Sequence, residues 1–205
     1  MPVPIEALLP WLDIAGLSVF AASGALAAAR KRLDFIAACF FALITATGGG
    51  TLRDLLIGAP VFWMQDAVPV MLCIGVAGAV WVVPLRWWPG RALEWLDAAG
   101  LAAYAVYGAA KAGQYGVAPV PAIAAGVITA CLGGIIRDMT AGVPSILMRH
   151  ELYVTAALCA AALFVLLASL GLAAPWPAFL GCAVGFAVRG AAIRWGLSLQ
   201  PHRGD

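Results

Sequence analysis

Seven apolar runs, each about as long as one bilayer crossing, make up almost the whole of this chain. They lie at about residues 11–29, 34–58, 67–84, 94–113, 119–141, 151–170 and 177–196, bounded by charge, proline or glycine. A hydrocarbon core about 30 Å thick takes about 20 apolar residues per helix. With short gaps between the runs, 205 residues leave no room for a soluble domain. The chain is 64% hydrophobic and 11% charged, whereas soluble domains carry roughly 25% charged residues. The expected fold class is an all-α integral membrane protein with seven transmembrane helices. A soluble enzyme, a nucleic-acid binder and a disordered linker are excluded, and a net charge of +2 does not speak for nucleic acid.

An odd number of spans puts the termini on opposite sides. Arg30, Lys31, Arg32, Arg86, Arg91, Arg149, Arg189, Arg194 and Arg203 fall near one face and Lys111 alone near the other. The positive-inside rule makes the first face cytoplasmic, so the N-terminus is expected outside and the C-terminus, with a short tail at 197–205, inside. The N-terminus carries Glu6 and Asp13 but no Lys or Arg before Arg30, so it lacks a basic n-region and the first span is expected to stay in the mature protein. Trp81, Trp87, Trp88 and Trp95 read as interfacial anchors, Arg30-Lys31-Arg32 as a contact with anionic lipid, and Arg189 as deep enough to need a partner. The five cysteines stand singly in apolar runs and read as small buried hydrophobes.

Read against itself at an offset of 84 residues, the chain superposes Leu12-Asp13 on Leu96-Asp97, Gly16 on Gly100, and Gly24-Ala25 on Gly108-Ala109. The same offset superposes Ile44-Thr45-Ala46 on Ile128-Thr129-Ala130, Gly49-Gly50 on Gly133-Gly134, Arg53-Asp54 on Arg137-Asp138, Gly58 on Gly142, and Pro60 on Pro144. Alanine and glycine matches come cheaply in this composition, but paired Arg-Asp dipeptides inside apolar runs do not. The chain reads as a duplication, with repeat one at about 11–84, repeat two at about 94–170 and an extra helix at about 177–196. Three spans per unit force the second copy to enter the membrane from the opposite side. The expected architecture is two inverted three-helix repeats plus a seventh helix, about a pseudo-two-fold axis in the membrane plane.

The residues able to carry function sit at equivalent depths in spans two and five. Span two holds Thr45, Thr47, Gly48, Gly49, Gly50, Arg53 and Asp54, and span five holds Thr129, Gly133, Gly134, Arg137 and Asp138. Consecutive glycines cost about 1 kcal/mol each against alanine and permit a helix break. A break at mid-depth would present carbonyl ends of half-helices, with threonine hydroxyls beside them, to a partly dehydrated monovalent cation. The plainer reading is that the glycine pairs only let neighbouring helices pack closely. Burying each ion costs about 2.5–3.5 kcal/mol on insertion scales, so the Arg-Asp pairs are expected to face the bundle interior or a water path. They read equally as locks on the two helices or as parts of a gate. Lys111 reads as a snorkelling end-anchor or as a charge within the membrane field that responds to voltage or blocks the path. Gly181-x-x-x-Gly185 marks a possible packing face on the last helix.

The two histidines, His150 and His202, have no companions at metal-ligand spacing, and no hydrolase or phosphate-loop motif occurs. No enzyme activity, cofactor or fixed structural metal is expected, and nothing suggests coupling to ATP. The metal content expected is transient potassium or sodium in a pore.

The doubled motif Gly48-Gly-Gly-Thr-Leu-Arg-Asp-Leu-Leu-Ile-Gly-Ala-Pro60 and Gly133-Gly-Ile-Ile-Arg-Asp-Met-Thr-Ala-Gly-Val-Pro144, in a seven-span frame, closely resembles the prokaryotic branch of the trimeric intracellular cation channel (TRIC) family. The resemblance covers about residues 10–196, and that branch also carries the domain label of a glycine transporter. It implies a homotrimer with a pore in each protomer, lined chiefly by kinked helices two and five, passing potassium and less selectively sodium. By motif position the kinks would be Gly48, Gly49 and Gly50, and Gly133 with Gly134, and the basic residues Arg53 and Arg137. The second kink departs from the pattern, because Leu132 stands where the first repeat has Gly48. Animal members carry a lysine-rich tail that Pro201 to Asp205 does not reproduce, so a prokaryotic plasma membrane is expected. The expected function is a passive, potassium-preferring monovalent-cation channel whose other contacts are membrane lipid. The rival is a secondary carrier of a small zwitterion such as glycine, with half-helix N-termini at Gly50 and Gly134 for the carboxylate and Asp54 or Asp138 for the amine.

Overall fold

The structure, a computed structural model, describes residues 5–149 and 151–198. His150, and His202 and Arg203 of the short tail, lie outside the described residues. Among the latter, the helices in chain order are α1 (Ile5–Arg30), α2 (Phe35–Leu56), α3 (Phe62–Gln65), α4 (Val68–Val82), α5 (Ala92–Gln114), α6 (Pro119–Thr140), α7 (Val154–Ser169) and α8 (Trp176–Trp195). Two 3-10 turns, Leu85–Trp87 and Ile146–Arg149, complete the order. Every expected apolar run is occupied by one α-helix, the largest departure being α1, which starts at Ile5. The one-turn α3 and the 3-10 turn before α7 are additions to the expected pattern, and both serve the site below.

The helix ends follow from local chemistry. The Asp34 carboxylate accepts a hydrogen bond from the Ala37 N–H at 2.7 Å and caps α2. Pro69, Pro119 and Pro177 sit in the first turns of α4, α6 and α8, where a missing N–H costs nothing. Gly58 after α2 and Gly142 after α6 take left-handed conformations, with φ of 69° and 62°, and stop both helices at the same repeat position.

Four helices, α1, α2, α6 and α8, are long and apolar enough to cross a membrane, and α4 and α7 are shorter apolar helices. The 23-residue α5 is the polar exception, with Glu94, Asp97 and Lys111. It tolerates them because it lies at the centre, packed on α1, α6, α7 and α8. Large apolar side chains instead crowd the outer surface, among them Ile36, Val82, Val120, Leu170 and Phe179, as lipid rather than water would require.

Packing obeys the 84-residue offset. A Cβ on Gly16 would strike the Tyr104 ring, and one on Gly100 would strike Phe20, which is the counterpart of Tyr104. Phe20 and Tyr104 themselves touch, with ring centroids 5.4 Å apart. Contacts that exchange partners in this way are isologous, the mark of a two-fold relation between the copies. On α8, Gly181 meets Ala160, Val106 and Phe164 and Gly185 meets Ala160, so the Gly-x-x-x-Gly face packs within the protomer against α7 and α5.

Candidate functional site

The candidate site is built on the crossing of α2 and α6. Gly49 lies so close to α6 that a Cβ there would collide with the Thr129 carbonyl, and Gly133 lies in the same way on the Thr45 carbonyl. Thr45 and Thr129 are counterparts, as are Gly49 and Gly133, so the crossing is itself isologous. The glycines were expected to break their helices. Instead α2 and α6 run as helix through Gly48–Gly50 and Gly133–Gly134, without a break into half-helices there. The physical reason is backbone proximity: removing two Cβ atoms lets carbonyl-lined surfaces touch, which contributes more than freeing polar groups that would then need partners.

The hydroxyls follow the helices. Thr47 and Thr129 donate to the carbonyls of Leu43 and Ala125, at 2.7 and 2.6 Å, in their own helices. Thr45 Oγ1 is buried and has no hydrogen-bond partner among the described residues. Gly50 abuts Phe62 of α3, and Gly134 abuts Tyr153 and Asp97. Gly48 meets only the tip of Ile136.

One turn further along, each helix carries its Arg-Asp pair, and all four side chains are buried. Arg53 Nε and Nη2 donate to Asp54 Oδ1 at 2.9 and 2.7 Å. Arg137 Nε and Nη2 donate to Asp138 Oδ1 at 2.9 and 2.8 Å. The second oxygen of each aspartate caps a returning loop, Asp54 accepting from Phe62 N at 3.0 Å and Asp138 from Ile146 N at 2.9 Å. The unexpected short helices α3 and Ile146–Arg149 start at these caps. Both members of each bond are ionised, and such charge-assisted hydrogen bonds are stronger than neutral ones.

Beyond this shared core the two clusters diverge. In repeat one, Lys111 Nζ comes from α5 to 2.8 Å from Asp54 Oδ1, so one carboxylate serves two cations. The Arg53 guanidinium lies 4.9 Å from the centre of the Tyr107 ring. In repeat two, Arg137 Nη1 donates to Asp97 Oδ1 at 2.6 Å and to Ser23 Oγ at 2.5 Å, so one cation serves two carboxylates. Ser23 and Tyr107 are counterparts, each reaching across to the other repeat's arginine. Asp13, the counterpart of Asp97, instead accepts from the Tyr104 hydroxyl at 3.3 Å.

The sequence-predicted charges are therefore gathered into two clusters, one on α2 with Lys111 and one on α6. Lys111 is an ion-pair partner rather than a free end-anchor, its side chain 14% exposed. Three contributors were not singled out: Asp97, Ser23 and Tyr107. The Asp13–Asp97 match carried a signal for the first, and adding 84 to Ser23 points to Tyr107, but neither could be assigned to an arginine before the helix order in space was known. Arg189, expected to need a partner, lies 2.7 Å from Glu151 and 5.4 Å from the centre of the Tyr153 ring. Among the described residues no group of three or more potential ligands could hold a metal ion.

The two clusters lie toward opposite ends of the bundle. Arg30 Nη2 donates to the carbonyls of Pro89 and Gly90 at 3.1 and 3.0 Å, and Arg91 Nη1 to that of Ile193 at 2.6 Å. These bonds join the ends of α1 and α8 to the start of α5, and Asp138 shares a cavity with Arg30 and Leu93. Lys111 lies near the other end of α5 with Asp54.

An all-helical bundle with an apolar exterior and buried ion pairs on a duplicated helix crossing defines an integral membrane protein built from two related halves. The chain belongs to the family whose model is described as "Glycine transporter", which matches it twice, at residues 10–85 and 94–169. It is 37% identical over 202 residues to the inner membrane protein YadS of Escherichia coli (strain K12), covering 94% of this chain and 95% of that one. Its fold matches the crystal structure of the TRIC trimeric intracellular cation channel orthologue from Rhodobacter sphaeroides with a TM-score of 0.85 and 43% identity, over 93% of this chain and 99% of that one. A prokaryotic TRIC channel crystallised in 0.5 M KCl matches with a TM-score of 0.84 and 26% identity, over 95% of this chain and all (100%) of that one. The expected resemblance to TRIC channels thus holds in both sequence and fold.

Proposed function

We propose that this chain forms a passive cation channel, selective for monovalent cations and preferring potassium, with one pore in each protomer of a homotrimer. The observation that carries the reading is the match, at 43% identity over nearly the whole chain, to a TRIC channel orthologue. On this reading all seven helices other than α3 cross a prokaryotic plasma membrane, as two inverted three-helix repeats plus α8. The isologous contacts at the 84-residue offset support the inversion. The N-terminus faces outward and the C-terminus the cytoplasm, which the grouping of Arg30, Arg91 and the end of α8 at one end of the bundle supports.

Helices α2 and α6 line the path. Gly49 and Gly133 each lie against backbone of the facing helix, which supports a reading in which the path is narrowest at this crossing. Conduction requires α2 and α6 to separate, exposing Thr45, Thr47, Thr129 and the glycine backbone around Gly48, Gly50 and Gly134 to a permeating ion. Arg53, Asp54, Lys111, Arg137 and Asp138 hold the two helix ends until the pairs rearrange. Potassium or sodium binds only in transit, and lipid is the other partner.

The carrier reading draws on the family description, but it needs half-helix N-termini at Gly50 and Gly134 to receive a carboxylate. Both helices are continuous there. Single-channel recording of the purified protein in planar bilayers tests the choice, under a potassium chloride gradient and then with sodium or a large organic cation replacing potassium. Discrete openings with a cation-selective reversal potential are expected. Silence across voltages from folded, inserted protein, together with saturable glycine uptake that survives removal of potassium, would replace the channel by the carrier.

A further inference from the structure

The end of the bundle that holds Asp138 contains a cavity of about 200 Å³ between α1, α5 and α6. Its apolar wall is Ala27, Leu93, Ala141 and Val143, and Asp138 and Glu94 supply carboxylates to its lining. Adding 84 to Ala27 gives Lys111. At the repeat-one cluster, the side chain growing from that position runs to the aspartate and places its ammonium 2.8 Å from Asp54 Oδ1. At the repeat-two cluster the equivalent position is a methyl group, and the space a lysine would fill is the cavity. Solvent contact records the same difference: the Asp54 side chain is 0% exposed and that of Asp138 is 7% exposed.

Charge points the same way. Around Asp54, two cations share one carboxylate. Around Asp138, one guanidinium faces two carboxylates, Asp97 and Asp138, and Asp97 Oδ2 is buried without a hydrogen-bond partner among the described residues. An ammonium that donates to Asp138 while its stem stays in the cavity offsets part of this imbalance. Arg30 and Lys31 also line the cavity, but Arg30 is turned to the Pro89 and Gly90 carbonyls. Neither comes within ion-pair distance of Asp138 among the described residues, and Glu94 is paired only loosely with Arg91, at 3.7 Å.

We infer that the cavity beside Asp138 is a binding site for a primary alkylammonium group, which takes on Asp138 the place that Lys111 takes on Asp54. An alkyl stem lies along Ala27, Leu93, Ala141 and Val143, and the ammonium N–H groups donate to Asp138. The ligand class is an unbranched amine of about lysine side-chain length, free or at the end of a polyamine. The inference stands on the repeat geometry and does not depend on what the protein transports.

The test is the melting temperature of the full-length protein in detergent, titrated with n-butylammonium chloride and, at equal ionic strength, tetramethylammonium chloride. n-Butylammonium should raise the melting temperature with the logarithm of its concentration, as a ligand of the native state does. Tetramethylammonium, with no N–H to donate, should not. Ala27→Lys should melt higher than the parent protein and lose the n-butylammonium response. Ala27→Met, which fills the cavity without a charge, should lose the response without the gain. Lys111→Ala should open the matching cavity at Asp54 and add a second response. Equal shifts with both salts, or an n-butylammonium response that survives both Ala27 substitutions, would overturn the site.

Discussion

The α2 and α6 clusters start from the same dipeptide, use the same forked bond from arginine to one aspartate oxygen, and cap the same returning loop with the other. They differ in the third charge. A lysine completes the first and an aspartate the second, so a single carboxylate is shared in one and a single guanidinium in the other. The two clusters therefore share the geometry that fixes the helix ends and differ in which charge is shared. On the proposed channel reading, such an arrangement gives each side of the membrane a differently charged approach to the α2–α6 crossing.

The sharpest way to break this comparison is to delete each arginine in turn. Arg137→Met strands Asp97 and Asp138 together in the interior and should cost about 3–5 kcal/mol, the range for removing one partner of a buried ion pair. Arg53→Met leaves Asp54 with Lys111 and should cost distinctly less. Unfolding in detergent, followed by helical circular dichroism against denaturant, reads both, and equal losses would show that the third charges do not matter.

At the crossing the halves should behave alike. Gly49→Ala and Gly133→Ala each drive a methyl group into a carbonyl of the facing helix, and overpacking of this kind costs about 1–3 kcal/mol. Gly48→Ala meets only the flexible end of Ile136 and should fall clearly below them. Thermal melts of the three variants rank them, and a Gly49 variant as stable as the Gly48 variant would mean that the helices are not in backbone contact.

Lys111→Gln tests whether the repeat-one cluster senses the membrane field. One elementary charge crossing the whole membrane is worth about 2.3 kcal/mol per 100 mV, and Lys111 would contribute a fraction of that. The variant should open with a shallower dependence on voltage in planar bilayers. An unaltered slope would leave Lys111 as a lock on Asp54 with no sensing role.

The smallest expected effect lies at the loop caps. Trp63 Nε1 donates to Thr51 Oγ1 at 2.9 Å, while the counterparts Leu147 and Ile135 can make no such bond. Trp63→Phe should cost about 0.5–1.5 kcal/mol, the net worth of one hydrogen bond, and Leu147→Phe should show no matching loss of a hydrogen bond. Parallel melts of the two variants measure the difference.

Much of this arrangement was legible in the order of residues. Apolar run length predicted helices of membrane-crossing length, and four of those described, α1, α2, α6 and α8, are long and apolar enough to cross. The offset of 84 predicted that Arg53-Asp54 and Arg137-Asp138 would occupy equivalent places, and that Gly49 would correspond to Gly133. The short α3 escaped notice because four residues hold too little periodicity, and its start depends on an aspartate eight positions earlier in the chain.

The glycine runs show most clearly where sequence stops. A glycine permits both a helix break and a close helix contact, and which one occurs depends on whether another backbone arrives. At Gly49 and Gly133 the arriving groups are the Thr129 and Thr45 carbonyls, and the helices stay whole. The chain by itself determined its solvent, its helices and its duplication, because these follow from hydrophobicity and residue identity along one dimension. Only the tertiary structure decided that Lys111 belongs to Asp54, that Asp97 and Ser23 belong to Arg137, and that a cavity stands beside Ala27, the counterpart of Lys111. Those pairings join residues 40 to 114 positions apart, and burial in a medium without water makes each partner the condition for the other's charge.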